Sequence, residues 1–131
     1  MPSFGKASEE RLATCDPRLQ SVLREAIKHR DFTILCGFRD EAAQNDAVAK
    51  GNSKTPWPNS KHNRQPSLAV DIAPYPIDWT DTGSFSYLAG YIVRIGDELG
   101  VKLRWGGDWN QNGKTKDEKF LDMPHIELVD P

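Results

Sequence analysis

Two histidines and an aspartate in this chain are of the types that hold a catalytic metal. His62 lies in the polar stretch SKHNRQP, Asp71 interrupts the apolar run AVDIA, and His125 opens the alternating run HIEL. A carboxylate between Val70 and Ile72 is costly to bury unless a partner neutralises it, so Asp71 requires one. Two imidazoles and a carboxylate make up the His₂Asp set of a catalytic zinc site, which keeps its fourth position for water. Each residue alone has an ordinary alternative, a hydrogen-bonded histidine or a salt-bridged aspartate. Ligands so far apart in sequence form no regular motif, so spacing does not decide between these readings. The remaining histidine, His29, ends an amphipathic segment, where a cation near a helix C-terminus is favourable, and reads as a surface residue.

The elements that must position these groups follow from periodicity. Asp16 and Pro17 begin a helix over RLQSVLREAIKHR with an apolar stripe of Leu19, Val22, Leu23, Ala26 and Ile27. DFTILCGF (31–38) reads as a buried strand, and Asp40 caps a helix over EAAQNDAVAK that Gly51 ends. Residues 52–66 are polar and Pro-containing without periodicity, a long loop of the kind that tends to carry function. SLAVDIA (67–73) alternates, with Leu68, Val70 and Ile72 on one face and Asp71 on the other. SFSYLAGYIVRIGDELG (84–100) places Phe85, Leu88, Ile92, Ile95 and Leu99 on one stripe, with Ser84 as cap and Gly100 as stop. VKLRW (101–105) and HIELV (125–129) are strands, and in the latter His125 and Glu127 share a face while Ile126 and Leu128 point to the core. Helices interleaved with a few short strands make an α+β domain.

Bulk composition limits the function. At 131 residues the chain can bury a core without metal or disulfide scaffolding, so a metal would serve chemistry rather than folding. A net charge of −2 lacks the basic excess that follows phosphates, which argues against nucleic acid as a partner. No apolar stretch is long enough to span a bilayer, and MPSFGKASEERL has no apolar signal-peptide core. We therefore expect synthesis in the cytoplasm and no stable membrane association. Cys15 and Cys36 have no CxxC spacing and read as reduced and structural.

The stretches GFRDEAAQ, SKH…AVDIAP and DMPHIEL, in that order between Leu19 and Leu128, resemble the zinc D-Ala-D-Ala carboxypeptidase and L-Ala-D-Glu endopeptidase family, especially its VanY-like and small phage endolysin branch. The resemblance implies one catalytic domain over residues 1–131, with a short, mostly antiparallel sheet and packed helices of the Hedgehog/DD-peptidase-like kind. It makes His62, Asp71 and His125 the zinc ligands, Asp122 the catalytic carboxylate, and Arg39 the arginine that binds substrate or its developing oxyanion. The segment between His62 and Asp71 is longer than the family pattern, an insertion its Pro-containing loop can absorb. Zinc lowers the pKa of its water to about 7, and Asp122 can take that water's proton and pass it to the leaving amine. Asp122 alone could equally cap a turn, and Arg39 alone could pair with Asp40 or Glu41. Glu127, on the His125 face, is placed to orient that ligand by a hydrogen bond.

The activity implied is cleavage of peptidoglycan stem peptides at L-Ala-D-Glu by a monomeric phage or prophage endolysin, released to the wall through a separate pore. D-Ala-D-Ala carboxypeptidase activity, a zinc amidase, and a non-catalytic wall-binding module on the same fold are the alternatives. A binding module would have no use for the Asp122 carboxylate. Trp57, Trp79, Trp105 and Trp109 lie in or beside loops flanking the proposed site, with Trp105 equally suited to the core. DWNQNGKTKDE (108–118) partly resembles a calcium loop through Asp108, Asn110, Asn112, Asp117 and Glu118, but Lys119 stands where the closing Glu belongs. The other reading of that loop is a solvated, Asx-rich turn.

Overall fold

The computed structural model describes residues 2–129. Apolar alternation produces four strands, β1 (Phe32–Cys36), β2 (Ala69–Pro74), β3 (Leu103–Trp105) and β4 (His125–Leu128), in an antiparallel sheet of order β1-β2-β4-β3. Helix α2 (Pro17–Ile27) starts where Asp16 accepts a hydrogen bond from the Arg18 N–H, and α3 (Glu41–Ala49) where Asp40 accepts from Ala43. Helix α4 (Thr82–Leu99) is the longest. Its expected cap was Ser84; instead Asp81 accepts from the Ser84 N–H, because the carboxylate three residues upstream reaches the same orphan donor. Gly100 ends it with φ of 74°, a left-handed conformation that glycine adopts without strain.

One face of the sheet packs Ile34, Val70, Ile72, Ile126 and Leu128 against the stripes of α2 and α4, forming one core cluster. Leu99, expected in the α4 stripe, is 50% exposed at the last residue of the helix. Helix α1 (Lys6–Leu12) was not expected, because KASEERL offers little apolar periodicity. Buried Ser8 explains its place: its Oγ accepts from the Ile34 N–H at 3.0 Å, so α1 satisfies a backbone donor on edge strand β1.

The opposite face of the sheet carries the polar groups, and strand register sets their neighbours. Asp71 pairs across the ladder with His125, and Glu127 with Arg104. A bulge between Ile34 and Cys36 then brings Cys36 opposite Asp71. The loop expected over 52–66 contains a 3-10 turn, Lys61–Asn63, closed by a capping box in which Ser60 and Asn63 satisfy each other's backbone.

Candidate functional site

The 3-10 turn sets His62 against the sheet, where it is 2% exposed. Its Nδ1–H donates to the Gly37 carbonyl at 2.8 Å, which leaves Nε2 with a free lone pair. His125, 6% exposed, donates its Nε2–H to Glu127 Oε1 at 2.8 Å, leaving Nδ1 as the acceptor. Those two bare nitrogens face each other at 3.2 Å. Asp71 Oδ1 completes a triangle, 3.2 Å from His62 Nε2 and 3.5 Å from His125 Nδ1. Donors on a tetrahedral metal with bonds of about 2.1 Å lie about 3.4 Å apart, so the triangle fits such an ion. Lone pairs aimed together repel unless a proton or cation sits among them.

The electrostatics of this arrangement favour positive charge among the three groups. Burial disfavours the charged form of His62, but the adjacent Asp71 carboxylate outweighs it and holds the imidazole at about 10. Burial likewise works against the Asp71 anion, yet the two histidines keep its carboxyl well below the usual range. A buried carboxylate between two imidazoles attracts positive charge, and in the metal-free protein a proton supplies it.

Asp122 stands just outside the triangle, with Oδ2 3.9 Å from His125 Nδ1. Burial, then the charge of Asp71, pushes its carboxyl up to about 6. Its backbone is fixed by reciprocal bonds: Asp122 N–H donates to the Gly106 carbonyl at 2.9 Å, Gly106 N–H to the His125 carbonyl at 2.8 Å, and His125 N–H to the Asp122 carbonyl at 3.1 Å. A Cβ on Gly106 would lie 2.2 Å from the Asp122 carbonyl oxygen and 3.0 Å from His125 Cβ. Gly106→Ala must therefore displace the carboxylate and a triangle residue together, and a shift of about 1 Å at reacting groups can cost about 10²-fold in rate. We expect a folded protein with at least that loss in kcat/KM; near-normal turnover would show that the Gly106 contact does not set the geometry.

Arg39 does not pair with Asp40 or Glu41. Its guanidinium reaches Asp71 Oδ2 at 3.1 Å and Gln44 Oε1 at 2.9 Å, so it braces the carboxylate of the triangle from behind. Glu127 accepts from His125 and also binds Arg104 at 2.6 Å and Lys61 at 3.1 Å. Burial opposes its ionisation, but the hydrogen bonds from His125 and Arg104 dominate and bring it down to about 2.

Several contributors to the site carry no local signal in the sequence. Gln44 is fully buried, accepting from Arg39 and Asn63 and donating to Ser53 Oγ and the Thr55 carbonyl. A glutamine in a weakly amphipathic helix gave no periodic signal. Cys36, expected to be a structural thiol, forms with His62 and Asp71 a group whose potential ligand atoms lie within 4.8 Å of one another, as do Asp71, Asp122 and His125. The bulge that aims it is invisible to strand periodicity. Cys15 is buried and, like Cys36, unpaired. His29 is exposed beside Glu25, as expected.

The tryptophans divide. Trp109 lies 5.3 Å from the His125 ring and donates to the Phe120 carbonyl, and exposed Trp79 stacks on Phe85 along a cleft beside Asp71. Trp105 packs against the core, and Trp57 lines neither cleft at the site. In the 108–118 loop, Asp108 accepts from the Asn112 and Gly113 N–H groups, Asn112 from Lys114, Glu118 from Asn110, and Asp117 from the side-chain amides of Asn110 and Asn112. These oxygens serve the loop's own donors in the manner of an Asx-rich turn.

Comparison with known proteins gives the family. Residues 2–129 match the family described as phage L-alanyl-D-glutamate peptidase. The chain is 42% identical over 134 aligned residues to the L-alanyl-D-glutamate peptidase of Escherichia phage T5, covering 96% of this chain and 97% of that protein. Its fold matches the crystal structure of the Serratia marcescens L-Ala D-Glu endopeptidase ChiX with a TM-score of 0.75 and 28% identity, over 97% of this chain and 90% of that one. The chain belongs to the phage L-alanyl-D-glutamate peptidase family.

Proposed function

We propose that this protein is a zinc peptidase that hydrolyses the L-alanyl–D-glutamate bond of peptidoglycan stem peptides, acting on the wall as a phage or prophage endolysin once a separate pore releases it. The observation that carries the reading is the triangle of His62 Nε2, Asp71 Oδ1 and His125 Nδ1 at 3.2 to 3.5 Å, with the other nitrogen of each histidine already committed as a donor. Two imidazoles and one carboxylate suit zinc with a position left open. When bound, zinc supplies Lewis acidity, making water nucleophilic near neutral pH and polarising the carbonyl it meets.

The protein's own groups would do the rest. Asp122 lies beyond the triangle's own spacing yet beside it, where it can take the proton from the attacking water and deliver it to the departing nitrogen. The water oxygen joins the alanyl carbon, the C–N bond breaks, and an alanine carboxylate and a glutamate amine leave. Positive charge at the triangle favours the ionised form of Asp122 that accepting a proton requires. Arg39, itself held by Gln44, braces Asp71, and Glu127 holds His125, so the donors are preorganised.

The test is zinc stoichiometry with its proton balance. His62 must give up the proton it carries in the metal-free protein, because ligation needs its lone pair. With His62 at about 10, that proton is present throughout the neutral range. His125 is also raised, against its burial, by Asp71 and Glu127, so zinc binding should release at least about one proton, and apparent affinity should rise at least about tenfold per pH unit. Calorimetry in buffers of different ionisation heat measures the release. Substoichiometric zinc, or binding indifferent to pH between 6 and 8 as orders of magnitude go, would contradict the proposal.

A further inference from the structure

Two clefts meet at the triangle. One of about 270 Å³ is lined by Lys54, Lys61, His62, Arg104 and His125; the other, about 700 Å³, has Leu35, Ala47, Trp79, Phe85 and Leu121 in its walls; Arg39, Phe120 and Asp122 line both. A chain lying across the site would place one part in a largely apolar trough and the other in a cleft rich in cations.

Most cations of the two clefts are already committed to carboxylates. Arg39 pairs with Asp71 at 3.1 Å, Lys61 and Arg104 with Glu127 at 3.1 and 2.6 Å, and Lys50, in the larger trough, with Asp46 at 3.0 Å. Lys54 differs. Among the described residues it has no carboxylate partner, and its ammonium sits 4.9 Å over the Phe120 ring. Its backbone is nonetheless held on both sides, because buried Gln44 donates to Ser53 Oγ at 3.0 Å and to the Thr55 carbonyl at 2.6 Å while holding Arg39 through its other end. One buried side chain thus ties the loop carrying the uncommitted charge to the arginine that braces Asp71.

We propose that Lys54 reads the free α-carboxylate of the D-glutamate on the leaving side of the scissile bond, making the cation-rich cleft the leaving-group subsite. This rests on the peptidase reading above. In a stem peptide the D-glutamate gives its amine to the scissile bond and continues through its γ-carboxyl, so its α-carboxylate stays ionised on the carbon that bears the departing nitrogen. Asp122 and Glu127 line this cleft and Asp71 touches its His62 and His125, so an anion brought among them requires a cation that is not already paired. Lys54 is that cation, and its flexible stem can leave the Phe120 ring to meet it.

The experiment compares two synthetic stem peptides that differ only in the α group of the glutamate, free carboxylate against carboxamide, with the zinc-loaded protein and its Lys54→Met and Lys54→Arg variants. The wild type is expected to favour the carboxylate about tenfold in kcat/KM, mostly through KM. Lys54→Met should cut both peptides at about the amide rate, and Lys54→Arg should keep the preference. A wild type indifferent to the α group, or a Lys54→Met protein that keeps the preference, overturns the assignment while leaving the peptidase reading intact. Failure of the wild type to cut either peptide overturns the peptidase reading, and the assignment with it.

Discussion

His125→Ala is expected to lose zinc and at least about 10³-fold in peptidase activity while remaining folded, because the missing nitrogen removes both a donor and the Lewis acid that it helps to hold. The core that α2 and α4 build on the other face of the sheet does not include His125, so thermal unfolding should stay cooperative. Asp71 loses one neutralising neighbour but keeps Arg39 and His62. Elemental analysis and activity on the same preparation check the point together. Wild-type zinc content in this variant would show that the metal sits elsewhere, for instance on the group formed by Cys36, His62 and Asp71.

Asp122→Asn should separate binding from chemistry. The amide cannot accept the proton, yet it leaves the triangle and the Gly106 backbone pairing in place, so zinc content should be unchanged. The loss should be about 10² to 10⁴-fold, the range for a missing general base or acid. Turnover close to wild type would move the role to another carboxylate. Glu127 is a poor candidate, held by His125, Arg104 and Lys61, which leaves Glu118 as the group to vary next.

How much of this was legible in the sequence depended on whether a residue's role was local or set by register. Strand alternation was enough to put His125 and Glu127 on one face and Asp71 off the apolar face of its own strand, because the side-chain period of two is strict. Caps at Asp16 and Asp40 were readable because the donor they satisfy is two or three residues away. The convergence of His62 on those strands was not readable from spacing, since it depends on a 3-10 turn packed against Gly37 from a distant part of the chain. Arg39 lines both clefts, and its tie to Asp71 is a contact across 32 positions that no local pattern signals. The bulge that swings Cys36 toward Asp71 and the burial of Gln44 escaped for the same reason: each is decided by tertiary contacts and leaves the local periodicity unchanged.

Under the proposed function, zinc held by His62, Asp71 and His125 drives hydrolysis of one particular bond. Its most direct test is mass spectrometry of fragments released from purified peptidoglycan by the metal-stripped protein, before and after zinc is restored. The stripped protein is expected to release nothing, and the zinc-restored protein to release stem peptides that begin with D-glutamate, their L-alanine remaining on the glycan. Equal release without metal, or products cut at a terminal D-alanine or between sugar and peptide, would contradict it.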